Sequence, residues 1–277
     1  MKKGIALVYL VAGLSSRFGG KVKQFAAVGP NGESFIECSL AQTLKADFSK
    51  VVFIVGKRTR DLFRNKFGNN YKGLPIDYVF QDFNEAKRDK PWGTADALSC
   101  ATTLLDVPFV VCTGDDLYGE HSFTTLAEHL RIYKEEACIG HRLDKVLPST
   151  GQVNRALFQT KKGYVTKIGD VFSVDPKKVS ADAANRLCCM TIFALHPKIL
   201  EEISLLVEDF KRTNINDRIS ELQLHTILSK LIEDGKIQMK LYPAQDPWIG
   251  LSNPEDENLV KKRLAKTSYS EDLNSLL

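Results

Sequence analysis

Apolar runs and amphipathic stretches alternate along the first half of the chain. Runs that are apolar at successive positions predict buried strands, because the strands of a parallel sheet are covered on both faces. Two such runs lie at residues 5–12 and 51–55, and further strands are expected at 76–80, 107–112 and 137–141. Apolar residues recur at helical spacing between them, at residues 34–46, 58–67, 94–105 and 122–135. The alternation predicts an α/β fold with a mainly parallel mixed sheet and helices on both faces.

The pattern changes after about residue 150. Residues 153–159 and 164–168 predict a hairpin that turns at 161–163, and 187–195 predict a further buried strand. The remaining expected elements are helices at 197–210, 219–233 and 254–265, a strand at 237–242 and a loop at 243–253. We expect one unit over residues 1–265, with a nucleotide-binding core at about 1–150, an acceptor lobe at 151–265 and a loose tail at 266–277.

Composition narrows the classes of protein. The chain has 277 residues, 43% of them hydrophobic, and a net charge of +4, which is typical of a globular protein. A mildly basic charge favours small phosphorylated ligands over nucleic acid. The apolar stretch at residues 5–13 is too short to cross a membrane, and no cleavage site follows it. The six cysteines lack metal-ligand spacing, so we expect free thiols in the cytoplasm.

The loop after the first predicted strand carries the first candidate chemistry. It consists of small residues and one leucine, namely Ala12, Gly13, Leu14 and Ser15. Such a loop lets backbone N–H groups approach a phosphate chain, and Arg17 and Lys23 supply cations for its oxygens. The loop matches neither a P-loop nor a dinucleotide-binding motif. A plain tight turn with two surface cations is the alternative.

A pair of carboxylates follows the strand predicted at 107–112. Ligands of open parallel sheets bind at the carboxyl ends of the strands, so Asp115 and Asp116 are expected to share a crevice with the first loop. A carboxylate placed there can hold Mg²⁺ against triphosphate oxygens, and we assign this role to Asp115. Asp116 is expected either to contact substrate or to be structural. The alternative is that one of the two caps the helix that follows.

Two further segments are candidates for the site. In the segment Lys90–Ala97, which includes Trp92, Gly93 lets a flat group such as a nucleobase lie close to the backbone. Thr94 is expected to cap the helix that follows, and Gln81 at the end of the third strand can read the edge of a base. The second segment, Asp246–Asn253, is by itself only a loop with a buried tryptophan.

The four segments described above, taken together with residues 28–33, resemble one family. The chain is similar to the sugar-phosphate nucleotidyltransferases, the NDP-sugar pyrophosphorylases, in their bacterial branch. The resemblance spans about residues 4–265 and rests on five segments: 12–20 with Lys23-Gln24, 28–33, 90–94, 115–119 and 248–251. It implies a Rossmann-like α/β core, Mg²⁺ as cofactor, and transfer of a nucleotidyl group from an NTP to a sugar 1-phosphate with release of pyrophosphate.

The resemblance also implies roles for single residues. Arg17 and Lys23 would bind the triphosphate, Asp115 would hold Mg²⁺, and Gln81 and Gly93 would face the base. The acceptor would meet Asp116 and residues of the second half, namely Gly151, Asp170, Thr191 and Glu221. Thr191 stands where the family usually has an asparagine. The second metal-binding aspartate of many members falls at Gly250, which leaves Asp246, Ser252 or Asn253 as substitutes.

One departure concerns the acceptor phosphate. Where many members have Glu-Lys, this chain has Asp170-Val171, and valine cannot neutralise a dianion. Another cation has to compensate, since an unpaired phosphate in a partly dry site costs several kcal/mol. Lys167 is expected to face the same side of its strand as Val171, and Arg155 lies in the neighbouring strand. We expect one of the two to bind the phosphate, with Lys167 preferred.

Two alternatives to a working nucleotidyltransferase remain at this point. The losses at Val171 and Gly250 are compatible with a protein of the same fold that binds nucleotides or nucleotide sugars without turnover. A glycosyltransferase of similar fold would explain Asp115 and Asp116, but it would not explain Arg17 and Lys23.

Overall fold

The computed structural model of the protein describes residues 4–13, 18–19, 21–148, 151–251 and 256–265. Several predicted site residues lie outside these ranges, namely Leu14, Ser15, Arg17, Ser252 and Asn253, and so does the predicted tail at 266–277. No helix within the described ranges is long and apolar enough to cross a membrane.

Strands and helices alternate as the sequence pattern predicts. The strands are β1 (Ala6–Val11), β2 (Lys50–Val55), β3 (Asn70–Tyr71), β4 (Leu74–Phe80), β5 (Phe109–Thr113), β6 (Asp116–Leu117), β7 (Glu136–Arg142), β8 (Val153–Lys161), β9 (Tyr164–Val174), β10 (Leu187–Leu195), β11 (Met239–Pro243) and β12 (Ile249–Gly250). The helices are α1 (Phe35–Ala41), α2 (Arg60–Phe67), α3 (Thr94–Ser99), α4 (Glu120–Ile132), α5 (Ala181–Ala184), α6 (Ile199–Thr213), α7 (Leu224–Glu233) and α8 (Asp256–Leu264).

Ten of these strands form one sheet in the order β3-β4-β2-β1-β5-β10-β7-β11-β9-β8. The pairings β4–β2, β2–β1 and β1–β5 are parallel, as expected for strands joined by helical crossovers. Both faces are covered, because alternate residues of β1 such as Tyr9 and Val8 belong to two separate cores. Helices α1, α2 and α4 pack on one face and α3, α6 and α7 on the other. The predicted three layers and the α/β class are confirmed.

The sheet is mixed, as predicted, but its second half is largely antiparallel rather than mainly parallel. There β10 runs antiparallel to β5, β7 and β8, and β9 runs antiparallel to β8 and β11. Because β10 pairs with both β7 and β8, the strands β10-β7-β11-β9-β8 close into a small barrel. The predicted hairpin at 153–168 forms part of this barrel. One sheet therefore runs through both predicted parts of the chain, and the boundary near residue 150 stays a prediction.

The predicted loop at 243–253 contains a strand that the pattern did not indicate. Residues Ile249 and Gly250 of β12 pair antiparallel with Leu117 and Asp116 of β6 in a separate two-stranded sheet. A strand of two residues is too short to produce a period in the sequence. The pairing brings the C-terminal tryptophan segment to the carboxyl end of β5.

Candidate active site

The site lies where the carboxyl ends of β1 and β5 meet. The two strands are parallel neighbours, so Ala12-Gly13 after β1 and Gly114-Asp115 after β5 lie at the same edge of the sheet. A Cβ at Gly114 would come within 2.4 Å of Cγ1 of Val11, so only glycine allows this contact. The packing of Gly114 against β1 therefore fixes the position of the backbone of Asp115.

Lys23 and Asp115 form an ion pair at this edge. Nζ of Lys23 donates to Oδ2 of Asp115, and both side chains are partly buried. Lys23 is placed by a single 3-10 turn over Lys23–Phe25. Lys23 and Asp115 therefore meet at one edge of the sheet, as expected for segments that follow neighbouring parallel strands. Arg17, the other predicted phosphate ligand, is outside the described residues.

Asp116 sits in a different environment from Asp115. Its Oδ2 accepts a hydrogen bond from the hydroxyl of Thr113 at 2.8 Å and lies 3.3 Å from the hydroxyl oxygen of Tyr118. Burial, followed by the charge of Asp115, raises the pKa of Asp116 to about 7. A carboxyl that keeps its proton is a poor ligand for a cation, so the raised pKa of Asp116 makes Asp116 unsuitable for that role. This distinction favours Asp115 as the cation-binding carboxylate.

The position of the missing second aspartate is filled. Gly250 pairs with Asp116, so the resemblance places the lost carboxylate beside the first pair. A Cβ at Gly250 would lie 2.3 Å from Cζ2 of Trp248 and 2.9 Å from Oδ1 of Asp116. The indole of Trp248 occupies the space that an aspartate would need. In the described part of the chain, no group of three or more His, Cys, Asp or Glu side chains is placed to hold a metal ion.

The carboxylate of Asp246 binds the start of a helix. Its Oδ2 accepts from the backbone N–H of His121 at 2.8 Å, and its Oδ1 lies 3.0 Å from Nδ1 of the same residue. His121 is the second residue of α4, so Asp246 caps this helix from a distant segment. The expectation that Asp115 or Asp116 could cap α4 is wrong, since the N-cap residue is Gly119. This geometry does not favour Asp246 as a metal ligand.

Gln81 and Gly93 lie together at the end of β4. Nε2 of the buried Gln81 donates to the carbonyl of Gly93 at 3.1 Å and to Oδ2 of Asp96 at 2.7 Å. Lys211 of α6 forms an ion pair with the other oxygen of Asp96. The amide nitrogen of Gln81 therefore binds the start of α3. A base could bind only to the side-chain carbonyl oxygen of Gln81.

Gly93 is required by the chain's own packing. Its φ of 104° lies in the region that favours glycine, and a Cβ would meet the backbone oxygen of Leu222 at 2.4 Å. The backbone N–H of Leu222 donates to the carbonyl of Trp92, and Ala95 N–H donates to the carbonyl of Leu222. The close approach predicted for a base is thus made by residue 222, and a base contact at Gly93 stays a prediction.

Thr94 caps a different helix from the one predicted. It begins α3, whose N-cap residue is Gly93, and its hydroxyl accepts from the N–H of Leu224 at 2.8 Å. Leu224 is the first residue of α7, so Thr94 joins the starts of α3 and α7. Sequence spacing cannot show such a cap, because the two residues are far apart in the chain. Trp92, nearby, packs under the guanidinium of the buried Arg88 at 3.4 Å from ring centroid to Cζ.

The predicted acceptor residues of the second half lie in separate segments of the chain. Gly151 is exposed with φ 84°, Asp170 binds Nε2 of His225 at 3.0 Å, and Glu221 pairs with Lys90 at 3.5 Å. Thr191 lies in a bulge of β10 with φ 57°, and its carbonyl oxygen lies 3.3 Å from the hydroxyl of Tyr118. A β-branched residue is rarely found in this left-handed conformation, and such strain concentrates at functional sites.

The structure separates the two candidate cations of the hairpin. Nζ of Lys167 lies 3.3 Å from Oε2 of Glu233, the last residue of α7. Arg155 is the direct cross-strand partner of Val171, and its guanidinium lies 5.7 Å from the ring centroid of Trp248. The preference for Lys167 is therefore not supported by this geometry, which places Arg155 beside the site.

Sequence reasoning missed the residues that support the carboxylates. Tyr118 is fully buried, and its hydroxyl lies 2.7 Å from Thr113 Oγ1 and donates to the carbonyl of Met190 at 2.7 Å. The sequence contains a signal for Tyr118. Asp116 and Tyr118 are two residues apart, which is the spacing of side chains on one face of a strand. The position of Trp248 against Gly250 and Arg155 depends on β12, which no pattern indicated.

Comparisons with known proteins identify the family of the chain. The sequence model of the Nucleotidyl transferase family matches residues 20–248, and the chain belongs to this family. It is therefore a nucleotidyltransferase family enzyme. No curated protein matches the chain.

Solved structures of low sequence identity share the fold. The inositol-1-phosphate CTP transferase from T. maritima has 16% identity and a TM-score of 0.66, with 96% of this chain and 98% of that chain covered. The UTP-bound UGPase from Acinetobacter baumannii has 15% identity and a TM-score of 0.66, with 98% of both chains covered. HddC from Yersinia pseudotuberculosis, complexed with GMP-PN, has 16% identity and a TM-score of 0.62, with 94% of this chain and 99% of that chain covered.

Proposed function

We propose that the protein transfers a nucleotidyl group from an NTP to a sugar 1-phosphate, giving an NDP-sugar and pyrophosphate. The observation that carries the proposal is the ion pair of Lys23 and Asp115. It joins a phosphate-binding loop and a cation-binding carboxylate at the sheet edge where α/β proteins bind ligands. The solved structures of the same fold include one enzyme named for inositol 1-phosphate and one with UTP bound. A test of the function therefore needs several classes of acceptor.

The reaction needs no covalent enzyme intermediate. A phosphate oxygen of the acceptor attacks the α-phosphorus of the NTP, a new P–O bond forms, and the bond to the β-phosphate oxygen breaks. Pyrophosphate leaves with the electron pair. Catalysis then consists of positioning and charge neutralisation, which is the pattern of phosphoryl transfer. Lys23 and Arg17 would offset the charge that develops on the transferred phosphate and the leaving group.

The oxygen donors at the sheet edge fit Mg²⁺. This cation prefers one or two carboxylates together with phosphate oxygens, so Asp115 and the triphosphate suffice without a second protein ligand. In the structure, Asp115 pairs with Lys23. The phosphates of a bound NTP would bind Lys23 instead, which would leave the carboxylate of Asp115 to bind the cation. When bound, Mg²⁺ neutralises phosphate charge and aligns the oxygens of the NTP. Asp115 would hold it.

The described contacts support a nucleotide side of the proposed site. The backbone of Ala12 and Gly13 would approach the phosphates, and the carbonyl oxygen of Gln81 would meet the base. The loop of Trp92, Gly93 and Thr94 is rigid, because Arg88, Leu222 and Leu224 hold it by stacking and hydrogen bonds. A rigid loop suits base recognition, because no ordering cost is added on binding.

Pyrophosphate release tests the function. Each of the four NTPs, with Mg²⁺, is combined with a panel of sugar 1-phosphates, inositol 1-phosphate and simple alcohol phosphates. We expect release that depends on one NTP and on a sugar 1-phosphate. Release only with phosphates that are not sugars would contradict the sugar assignment and keep the reaction class.

A non-catalytic binding protein is the second candidate. The observation that favours it is Trp248, which fills the place of the second metal-binding aspartate at Gly250. Calorimetry that shows NTP binding, without pyrophosphate release across the whole panel, would support this candidate over the first.

A further inference from the structure

Arg155 occupies the position across the hairpin from the missing lysine. In the antiparallel pair β8–β9, Arg155 is directly opposite Val171, where the resemblance places the lysine that binds the acceptor phosphate. Directly opposed residues of an antiparallel pair project from the same face with their Cβ atoms about 5 Å apart. A long side chain at 155 can therefore reach the space that a lysine at 171 would serve.

The guanidinium of Arg155 is fixed but not neutralised by its bonds. Nη2 donates to the carbonyl of Val146 at 2.6 Å and Nη1 to the carbonyl of Asn154 at 3.0 Å. Both acceptors are neutral carbonyls, so the positive charge stays available. A guanidinium has five N–H donors, and these two bonds use two of them. The remaining donors can bind a phosphate in the planar geometry that arginine offers.

Two N–H groups of the stacked pair Arg155 and Trp248 are unsatisfied. Among the described residues, Nε of Arg155 and Nε1 of Trp248 are buried and have no hydrogen-bond partner. A buried donor without an acceptor costs about 1–3 kcal/mol, so native proteins keep such groups mainly where water, an ion or a ligand completes them. The two donors belong to one contact, with Cζ of Arg155 5.7 Å from the ring centroid of Trp248.

This contact lies beside the proposed reaction centre. Trp248 contacts Gly250, and Gly250 pairs with Asp116 next to Asp115. Burial lowers the pKa of Arg155 below its usual value, and the charges of Cys188 and Asp116 oppose this shift. Lys167, the other candidate, pairs with Glu233 at the end of α7.

We propose that Arg155, held by Trp248 and the carbonyls of Val146 and Asn154, binds the acceptor phosphate in place of the lysine lost at Val171. The inference rests on the proposed function, because it assigns one subsite of that reaction. It commits to a phosphate monoester as the acceptor and to arginine as its cation. Lysine at 155 would keep the charge and lose the planar donor set.

The first test measures steady-state kinetics with the NTP and acceptor that give the highest pyrophosphate release. We expect Arg155→Ala to raise the KM for the acceptor by at least about 10-fold, the usual scale for a charged hydrogen bond. Arg155→Lys should recover part of this loss, and the KM for the NTP should change by less than about twofold in both. Lys161→Ala, an exposed charge on the same strand, serves as the matched control.

The second test needs no turnover. Inorganic phosphate is titrated into the protein saturated with Mg²⁺ and the α,β-methylene analogue of the NTP that binds best, so that the triphosphate site is filled. We expect phosphate to bind to the wild type and to be weakened at least about 10-fold by Arg155→Ala. Thermal melting of each variant shows that it is folded.

The two tests separate the inference from the function. Unchanged phosphate binding in Arg155→Ala overturns the inference, and so does a larger effect of Lys167→Ala. Absence of pyrophosphate release from the wild type over the whole panel overturns the proposed function. Phosphate binding that still depends on Arg155 would then support the subsite in a binding protein.

Discussion

Lys23 pairs with Asp115 across 92 residues of sequence, and this contact joins the loop after β1 to the end of β5. Neither residue belongs to a regular helix or to a strand of the main sheet. Their positions are set by the parallel pairing of β1 with β5, which brings both loops to the same edge. The pair is the point where the two candidate motifs become one site.

Removal of either partner is expected to lower turnover. Lys23→Ala and Asp115→Ala should each reduce kcat by at least about 100-fold, the usual scale for losing a group that stabilises charge in the transition state. Pyrophosphate release at saturating NTP and acceptor measures the effect. Lys21→Ala removes an exposed lysine two residues away and is the matched control. Near-normal turnover in Asp115→Ala would contradict the cation-binding role.

Asp246 is expected to affect stability more than metal dependence. Because its carboxylate accepts from His121 N–H at the start of α4, Asp246→Ala should lower the free energy of unfolding by about 1 kcal/mol. Asp246→Asn keeps an acceptor oxygen and should lose less. The Mg²⁺ concentration that gives half-maximal turnover should be the same in both variants and the wild type. A shift of that concentration by tenfold in Asp246→Asn would instead assign Asp246 to the metal.

The parallel half of the fold could be predicted from the sequence, because β1, β2 and β5 are mostly apolar at successive positions. The run at 5–12 and strand β1 agree within a residue at each end, and 187–195 coincides with β10. The antiparallel half was not recognised as a barrel. Closure depends on β10 pairing with both β7 and β8, and such long-range pairing leaves no local pattern.

The site was predictable only where neighbouring strand ends determine it. Asp115 and Lys23 follow from the rule for parallel strand ends. Thr94 and Asp246 both cap helices that are distant in sequence, so local spacing assigned them other roles. Gly93 shows the same limit, because the group packed against it is Leu222 of the chain itself.

Thr191 is expected to be a strained position. Its φ of 57° is unfavourable for a β-branched side chain, whereas asparagine, the residue that the resemblance places there, tolerates it. Thr191→Asn should therefore raise the free energy of unfolding by about 1 kcal/mol in urea titrations. Thr191→Val keeps the branching and should give no gain. Equal stability of the Asn and Val variants would show that no strain is stored at this residue.

Gly250 is expected to be required by the indole of Trp248. A Cβ there would lie 2.3 Å from Cζ2 of Trp248, so Gly250→Ala should displace the ring and cost about 1–3 kcal/mol of stability. Tryptophan fluorescence should shift to longer wavelength as the indole becomes more exposed. Gly169→Ala is the matched control, because a Cβ there meets nothing within 4 Å. The same emission maximum in Gly250→Ala and the wild type would contradict the steric argument.

His141 is expected to make the protein less stable in acid. The residue is 2% exposed, its ring centroid lies 6.2 Å from that of Tyr118, and burial lowers its pKa to about 4, with the charge of Asp246 opposing the shift. The unfolded chain has the ordinary histidine pKa of about 6.5 and therefore binds the proton first. The stability contributed by neutral His141 is complete above that value and is lost as the pH falls towards 4.

The size of this loss follows from the difference between the two pKa values. Between pH 7.5 and pH 5, protonation of the unfolded chain at residue 141 should lower the free energy of unfolding by about 2 kcal/mol. His141→Phe removes the titrating group and keeps an aromatic ring in the core, so its free energy of unfolding should fall by about 2 kcal/mol less over the same range. Urea titrations of both proteins at the two pH values measure the difference, and the comparison at pH 7.5 isolates the effect of the altered packing. The same loss in both proteins would contradict the assignment, because it would show that other groups determine the acid sensitivity.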